Sequence, residues 1–189
     1  PQLVADMASQ FLLGLQKESV EGCLKHFPGH GDTKADTHYG YAESLKTWDE
    51  LKDCEMIPFQ KGIATGAQMV MTAHVCLPNV TGGSIPSTLS PMILGDILRG
   101  RLGFKGVIIT DSMGMGAITQ QYSPEEAAIV AIEAGVDIVL DPADYVSAFE
   151  AVVSAVESGR ISMARIDESV SRVLELKKKI LRQRGQLLI

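Results

Sequence analysis

The sequence has few cysteines, and they do not form a pattern typical of a disulfide framework or a zinc site. Cys23, Cys54 and Cys76 are the only three, they lie far apart, and no CxxC motif occurs. An odd number rules out complete pairing within the chain, and the spacing does not fit a zinc motif. We therefore expect buried free thiols in a reducing compartment, which favours a cytoplasmic location.

Basic residues are in the minority, and long apolar runs are missing. The chain has 17 Lys and Arg residues against 23 Asp and Glu, so its formal net charge is −6. This balance argues against nucleic acid or an anionic membrane surface as a partner. No apolar run approaches the ~18 residues of a membrane-spanning helix, and no signal-peptide pattern opens the chain. The 46% apolar composition is ordinary for a globular domain with a hydrophobic core.

Four short apolar runs predict the strands of a parallel sheet. They are CLKHF (23–27), AQMVMTAHV (67–75), GVIITD (106–111) and VDIVLD (136–141). Their near-continuous apolar character is typical of strands buried on both faces. Helical patterns alternate with them, so we predict an α/β fold in one domain, with no linker and no second domain.

The helical patterns have recognisable starts and stops. Ser123 precedes Pro124 at the start of one pattern, as an N-cap precedes a proline in the first turn. The first pattern carries an apolar stripe with a spacing of four residues, namely Leu3, Met7, Phe11 and Leu15. The predicted helices cover 1–15, one or two segments of 47–66 broken near Pro58, 91–101, 123–134, 143–159 and 167–182.

Each apolar run ends in an ionisable side chain. These are Lys25 with His26, then His74, Asp111 and Asp141. In parallel α/β folds, and above all in (β/α)₈ barrels, the C-terminal strand ends form the active face. Each residue alone could cap a loop, but the four together predict a functional site. Only four βα units are visible where a barrel needs eight, so the chain is either a small open sheet or part of something larger.

The segment KHFPGHGDTKADTH, residues 25–38, concentrates histidine and aspartate. It contains His26, His30 and His38 together with Asp32 and Asp36. The three histidines could ligate zinc if the first two shared a helix face, but the Pro-Gly pair between them disfavours a helix. The PGHGDT sequence also lacks the spacing and the Lys-Ser/Thr pair of a phosphate-binding loop. The residues themselves therefore favour neither a metal site nor a phosphate site.

A third interpretation pairs a histidine with a carboxylate. Asp36 and His38 lie two residues apart, so the carboxylate can fix the tautomer of the imidazole while the other ring nitrogen moves a proton. Such a pair needs a partner at a rigid position, and Asp111 at a strand end is the best candidate. A fixed carboxylate and a His–Asp pair suit displacement at a sugar carbon, where one group attacks and the other protonates the leaving oxygen.

The motifs resemble those of a known family. KHFPGHGDTKADTH resembles the KH(F/I)PGHG(D/N)TxxD(S/T)H signature of family 3 glycoside hydrolases, in the β-N-acetylglucosaminidase (β-hexosaminidase) subgroup. GFKGVIITDSMGMGAI is similar to the nucleophile strand of that family, and RIDESVSRVLELK is similar to the end of its barrel domain. The resemblance implies a (β/α)₈ TIM-type barrel, with residues 1–189 supplying about strands 5–8, the C-terminal half of a single glycosidase domain.

The resemblance also implies catalytic roles. Asp111 would be the nucleophile that forms a covalent glycosyl-enzyme intermediate with retention of configuration. His38 would be the general acid and then the general base, and Asp36 would orient it. The subgroup thus departs from the usual pair of carboxyl groups, because an imidazole replaces one of them.

Other residues of the motifs would bind the sugar or shape the loop. The resemblance implies that Lys25 and His26 hydrogen-bond sugar hydroxyls. His74 would either line the pocket and bind substrate or have a structural role, and we expect His30 and Asp32 to organise the loop rather than touch the reacting centre.

The implied substrate is a saccharide with a terminal β-linked N-acetylglucosamine, from peptidoglycan or chitin fragments. The resemblance implies no cofactor and no metal. The alternative is a non-catalytic sugar-binding or structural half-barrel that keeps the motifs without turnover. The intact triplet of Asp36, His38 and Asp111 favours the enzyme, because a degenerate binder would be free to lose at least one of them.

The resemblance places the start of the family's barrel upstream of this sequence. We therefore expect the N-terminal half of the barrel to come from the same protein or from a companion chain. On that expectation the fragment alone would be a poor catalyst. An extracellular or surface-anchored location stays open, because a signal peptide would lie upstream.

Overall fold

The computed structural model describes residues 1–33, 42–183 and 185. The helices are α1 (Gln2–Lys17), α2 (Trp48–Lys52), α3 (Met56–Ala64), α4 (Pro78–Thr81), α5 (Gly116–Thr119), α6 (Pro124–Ala134), α7 (Tyr145–Glu157) and α8 (Met163–Gln183), with a 3₁₀-helix at Ser87–Leu89 and a π-helix at Met92–Arg101. The strands are β1 (Cys23–Phe27), β2 (Ala42–Glu43), β3 (Met69–Thr72), β4 (Val75–Cys76) and β5 (Val107–Ile109).

The predicted strands form a parallel sheet in chain order. Strand β3 lies between β1 and β5, and Val70 is paired with Leu24 on one side and with Ile108 on the other. The fourth apolar run joins the free side of β5 through a parallel bridge between Ile109 and Ile138. Within the described residues this sheet stays open, so an α/β fold with a parallel sheet is confirmed and a closed barrel is not observed.

The run 67–75 divides into two strands at a bend. Residues 69–72 belong to the main sheet, whereas Val75 and Cys76 pair with Ala42 and Glu43 in a separate two-stranded parallel sheet. Ala73 and His74 lie at the bend between them, and both are buried. Prediction of one continuous strand was wrong here, because a run of apolar residues does not reveal that its last residues change sheet.

The helix prediction needs two corrections of boundary. The break between α2 and α3 falls at residues 53–55, and Pro58 lies in the first turn of α3, where its missing N–H is not needed. Helix α8 begins at Met163, four residues before the predicted start. The predicted cap of α6 is confirmed, since the Ser123 side chain accepts a hydrogen bond from the Glu126 N–H.

The core lies between the main sheet and helices that precede and follow β3, with α6 after β5. Phe27, Val70 and Ile108 bring the three main strands into it, and each is 0% exposed. The π-helix contributes Ile93 and Leu94, also fully buried. Burying a side chain of this size contributes roughly 1.5–3 kcal/mol, so these positions hold the strand ends in a fixed relation.

Helix α1 exposes the apolar stripe that the sequence places on one face. Leu3, Met7 and Phe11 are 71%, 65% and 71% exposed. The helix instead buries its opposite side through Ala5 and Leu12. Within the described residues, no element packs over the stripe.

A buried carboxylate ties α8 to the sheet. The Asp137 side chain is 0% exposed and accepts hydrogen bonds from Arg99 (2.7 Å), Arg172 (2.9 Å), the Ser169 hydroxyl (2.6 Å) and the Ile108 N–H (2.9 Å). Buried charges are tolerated when they are paired and hydrogen-bonded in this way. The start of the fourth apolar run is thereby fixed against β5 and α8.

The predicted burial of the three cysteine thiols is only partly confirmed. Cys76 is buried and Cys54 is half-buried, but Cys23 is exposed. Cys23 lies on β1 and lines the cavity beside that strand, as does Lys25 two residues later, so its side chain is on the face that the cavity opens.

Candidate active site

The C-terminal ends of β1 and β5 bring a histidine and an aspartate together. His26 Nε2 lies 3.5 Å from Asp111 Oδ2. The two side chains are 28% and 20% exposed, so both reach a surface that solvent can enter. Parallel strands end at the same edge of a sheet, which is why residues 85 positions apart in sequence meet here.

The Asp111 carboxylate is held by its own backbone. Asp111 Oδ1 accepts a hydrogen bond of 2.9 Å from the Ser112 N–H. One oxygen is therefore fixed by the peptide, while the other is on the His26 side. A carboxylate fixed in this way at a strand end is a candidate nucleophile.

The segment after Asp111 is tied down by the neighbouring strand end. The Ser112 hydroxyl donates to Asp141 Oδ2 at 2.6 Å, and the Met113 N–H donates to the Leu140 carbonyl at 2.9 Å. Asp141 thus supports the segment that follows the candidate nucleophile. It has a positive φ of 49°, a left-handed conformation in which aspartate is more common than most residues.

His74 lies behind this segment. Its ring is 1% exposed, with Nε2 at 2.9 Å from the Ser112 carbonyl oxygen and Nδ1 at 2.9 Å from the Thr88 hydroxyl. Burial lowers the pKa of His74, although the Ser112 carbonyl and the charge of Asp111 act in the opposite direction. The predicted contact of His74 with a sugar stays a prediction, and the described contacts are to backbone and hydroxyl groups.

The PGHGD turn follows β1 directly. The Lys25–His26 and Phe27–Pro28 peptide bonds are cis. Gly29 has a φ of +124°, and a Cβ there would lie 2.6 Å from the Glu55 side chain. A larger residue at position 29 would therefore be strained, and it would also collide with the side chain of Glu55, the residue just before α3.

His30 and Asp32 are engaged within and beside this turn. The Thr33 hydroxyl lies 2.7 Å from His30 Nδ1, and the His30 and His26 rings meet edge to face with centroids 6.3 Å apart. Asp32 Oδ2 lies 2.9 Å from Lys46 Nζ, and Lys46 also forms an ion pair with Glu55. Glu55 and Asp32 raise the pKa of Lys46, because both carboxylates favour the charged ammonium. Neither Lys46 nor Glu55 was predicted, since no local pattern links them to residue 32.

A cavity of about 670 Å³ opens beside β1. One wall carries the polar residues Lys25, His26, His30 and Asp32, and the other is the apolar side of α1 around Phe11. The cavity therefore joins the candidate sugar-binding residues to the open edge of the sheet.

Asp36 and His38 lie outside the described residues. Their predicted roles as orienting carboxylate and general acid/base thus stay predictions. Within the described parts of the chain, no group of three His, Cys, Asp or Glu residues is arranged to hold a metal ion.

Comparison with known proteins decides the family. The family described as "Glycosyl hydrolase family 3 N terminal domain" matches residues 1–176. The chain belongs to glycosyl hydrolase family 3. The match places it in the N-terminal domain of family 3 proteins, and that it supplies the second half of that domain's barrel stays a prediction.

Individual family 3 proteins are similar over most of the chain. A β-hexosaminidase of Stenotrophomonas maltophilia (strain K279a) is 40% identical over 140 residues, which are 74% of this chain and 41% of that protein. The solved structure of a family 3 β-N-acetylglucosaminidase from Paenibacillus sp. str. FPU-7 is 40% identical with a TM-score of 0.94, covering 100% of this chain and 36% of that one. A structure of the β-glucoside phosphorylase BglX is 30% identical with a TM-score of 0.92, covering 97% of this chain and 35% of that one.

The chain therefore spans well under half the length of these family 3 relatives. Among the residues that the structure describes, no helix is both long enough and apolar enough to cross a bilayer.

Proposed function

We propose that this family 3 chain is part of a retaining glycoside hydrolase that removes terminal β-linked N-acetylglucosamine from peptidoglycan or chitin fragments. The observation that carries the proposal is the Asp111 carboxylate, fixed by the Ser112 N–H at 2.9 Å and facing His26 at the strand ends. The names of two relatives, a β-hexosaminidase and a β-N-acetylglucosaminidase, support the choice of sugar.

In the first step, Asp111 attacks the anomeric carbon. A bond forms between Asp111 Oδ2 and the sugar while the bond to the leaving oxygen breaks. That oxygen takes a proton from His38 and departs as an alcohol. Asp111 Oδ1 keeps its hydrogen bond to the Ser112 N–H, which steadies the carboxylate as its charge moves into the new ester bond.

In the second step, water releases the sugar. His38, now neutral, accepts a proton from the water that attacks the anomeric carbon. The bond to Asp111 breaks and its carboxylate is regenerated, so the configuration at the sugar is retained after two inversions. The support for His38 and for Asp36 as its orienting partner is the D-x-H sequence at 36–38.

Lys25 and His26 bind the sugar in this proposal. Both line the cavity beside β1, and His26 is also next to Asp111. Ammonium and imidazole groups can hydrogen-bond the hydroxyls of a sugar whose anomeric carbon faces Asp111. The rest of the pocket comes from the part of the barrel that would adjoin α1 and the open edge of β1.

Phosphate is a second candidate acceptor. A solved structure 30% identical to this chain is named a β-glucoside phosphorylase. An imidazole acid/base would also repel phosphate less than a carboxylate would. In that case inorganic phosphate would attack the glycosyl intermediate and the product would be a sugar 1-phosphate.

The test compares two chromogenic substrates on the full-length protein. We expect nitrophenol release from the N-acetyl-β-glucosaminide to exceed release from the plain β-glucoside, and Asp111→Asn to abolish both. Preference for the glucoside would keep Asp111 but contradict the sugar assignment. Hydrolysis of neither would favour a non-catalytic sugar-binding protein. Adding phosphate and assaying for N-acetylglucosamine 1-phosphate separates the two acceptors.

A further inference from the structure

We propose that His74 is a positioning residue for Asp111, acting through the Ser112 peptide. The inference rests on the proposed function, because it takes Asp111 to be the nucleophile. It assigns a purpose to a buried histidine that the mechanism above does not use.

The first argument is that the His74 ring is enclosed by other protein groups and does not line the cavity beside β1. Its ring is 1% exposed, and both nitrogens are at hydrogen-bond distance from protein partners. Thr88 Oγ1 lies 2.9 Å from Nδ1 and 2.7 Å from the Thr72 hydroxyl, which is also buried. A ring held on both sides has little freedom to reach a sugar.

The second argument fixes the direction of the hydrogen bond between His74 and Ser112. A carbonyl oxygen only accepts, so His74 must carry its proton on Nε2 and donate it to Ser112. In the neutral ring Nδ1 carries no proton and lies 2.9 Å from the Thr88 hydroxyl, which is also within hydrogen-bond distance of the Ala73 carbonyl (3.0 Å) and the Thr72 hydroxyl (2.7 Å). The lowered pKa of His74, which burial causes, agrees with a neutral ring. The donor in the contact with Ser112 is thus the His74 Nε2–H.

The third argument concerns Ser112, the residue to which His74 donates its hydrogen bond. Ser112 is held at its carbonyl by His74 and at its hydroxyl by Asp141, and its N–H donates to Asp111 Oδ1. The carbonyl contact joins the segment after β5 to the residues between β3 and β4. Without it the Ser112 carbonyl keeps the hydrogen bond from the Met115 N–H at 3.2 Å, so the segment is held less firmly and the Ser112 N–H can shift relative to Asp111 Oδ1. We infer that the loss would slow attack on the sugar more than it would weaken sugar binding.

Two variants of His74 separate positioning from mere structural support. His74→Gln places an amide N–H near the position of Nε2 and can keep the hydrogen bond to Ser112. His74→Asn reaches only about the position of Nδ1, so it keeps a partner for Thr88 and loses Ser112. Both replace the ring by a smaller amide, so each serves as the packing control for the other.

The measurement is steady-state kinetics of the full-length protein with the N-acetyl-β-glucosaminide. We expect His74→Asn to lower kcat by about 10- to 100-fold, as misplacement of a reacting group does. KM should change by less than about threefold, and His74→Gln should recover most of kcat. Equal loss of kcat in both variants, in proportion to their loss of thermal stability, would overturn the proposal and leave a purely structural histidine.

A second measurement does not depend on activity. Hydrogen exchange of the Ser112 amide, which donates to Asp111, should be at least about tenfold faster in His74→Asn than in His74→Gln. Equal exchange in the two variants would also overturn the proposal. If the unmodified protein turns over no glycoside, the proposed function fails, and the exchange measurement alone decides whether His74 orients this peptide.

Discussion

At the scale of single residues, Asp111 and His26 show what a sequence pattern can and cannot predict. The apolar runs predict two strands that end in these residues, and the rule that parallel strands share an active edge predicts that they are close. It does not predict that Asp111 Oδ1 is held by the Ser112 N–H, or that His74 reaches the Ser112 carbonyl. The contact of His74 depends on the change of sheet between β3 and β4, which no local motif indicates.

The proposed proton donor gives a prediction at this scale. His38→Ala should lower kcat/KM, which reports the first step, by about 10²- to 10⁴-fold on substrates with poor leaving groups, because the leaving oxygen then departs without a proton. Substrates with very good leaving groups, such as dinitrophenol, need little protonation and should lose much less. The measurement is kcat/KM against the pKa of the leaving phenol, for the unmodified protein and the variant.

Asp36→Asn is the companion variant. It keeps the imidazole but removes the charge that orients it, so its loss should be smaller and follow the same dependence on the leaving group. A His38→Ala loss that is equal for all leaving groups would contradict the assignment of His38 as general acid.

At the scale of elements, strands and helix caps were predicted better than boundaries or exposed faces. Ser123 caps α6 as expected, because the cap is a local interaction. The end of α2 and the start of α8 were misplaced because packing, not local pattern, decides how far a helix continues. The stripe on α1 shows the same limit, since amphipathic spacing tells that a face is apolar but not that something covers it.

The ion pairs around Lys46 give the first prediction about an element. Lys46 joins Asp32 of the PGHGD turn to Glu55, whose side chain is 12% exposed. Lys46→Met leaves a nearly buried carboxylate unpaired, so we expect the free energy of unfolding to fall by roughly 1–3 kcal/mol. We also expect a lower kcat/KM, because the turn then loses the ion pairs that connect it through Lys46 to Glu55, the residue just before α3.

Lys52→Met is the matched control for Lys46→Met. Lys52 pairs with Asp49 on an exposed part of α2, where such pairs contribute little. Its unfolding free energy and kcat/KM should stay close to those of the unmodified protein. Urea unfolding and steady-state kinetics of both variants check this, and equal effects of the two substitutions would contradict an anchoring role for Lys46.

The buried carboxylate of Asp137 gives the second prediction about an element. Asp137→Ala removes the partner of Arg99 and Arg172, whose guanidinium groups remain in a largely buried place. We expect a loss of about 3–5 kcal/mol in the free energy of unfolding. Glu168→Gln is the control, since Glu168 is an exposed partner of Arg172 and should cost less than about 1 kcal/mol. A loss below about 1 kcal/mol for Asp137→Ala in urea unfolding would contradict this description of the core.

At the scale of the whole molecule, the described chain leaves apolar surface open beside the candidate site. Leu3, Met7 and Phe11 are exposed on α1, and the cavity beside β1 is bounded by the same helix. Exposed apolar patches next to an unpaired strand edge favour association. The chain also covers only 36% of the Paenibacillus structure to which it is similar. Together these features agree with the hypothesis that another part of a barrel covers this side.

That hypothesis predicts different behaviour for the 189-residue chain and for the full-length protein. Alone, the chain should bind a dye that detects apolar surface, self-associate and turn over little or no substrate. The full-length protein should not self-associate through this face, and it should bind little dye. A single monomeric species of the 189-residue chain, identified by intact mass and unfolding cooperatively without dye binding, would contradict the missing-half hypothesis.

The central claim is that Asp111 is the nucleophile, and trapping the glycosyl intermediate tests it most directly. The full-length protein would be incubated with a 5-fluoro derivative of N-acetylglucosaminyl fluoride, which forms the intermediate faster than water releases it. It would then be digested and analysed by peptide mass spectrometry. The account predicts one added sugar, on the peptide that contains Asp111, and none in Asp111→Asn. A sugar attached to another residue, or turnover of the reagent with no covalent adduct at any time, would contradict it.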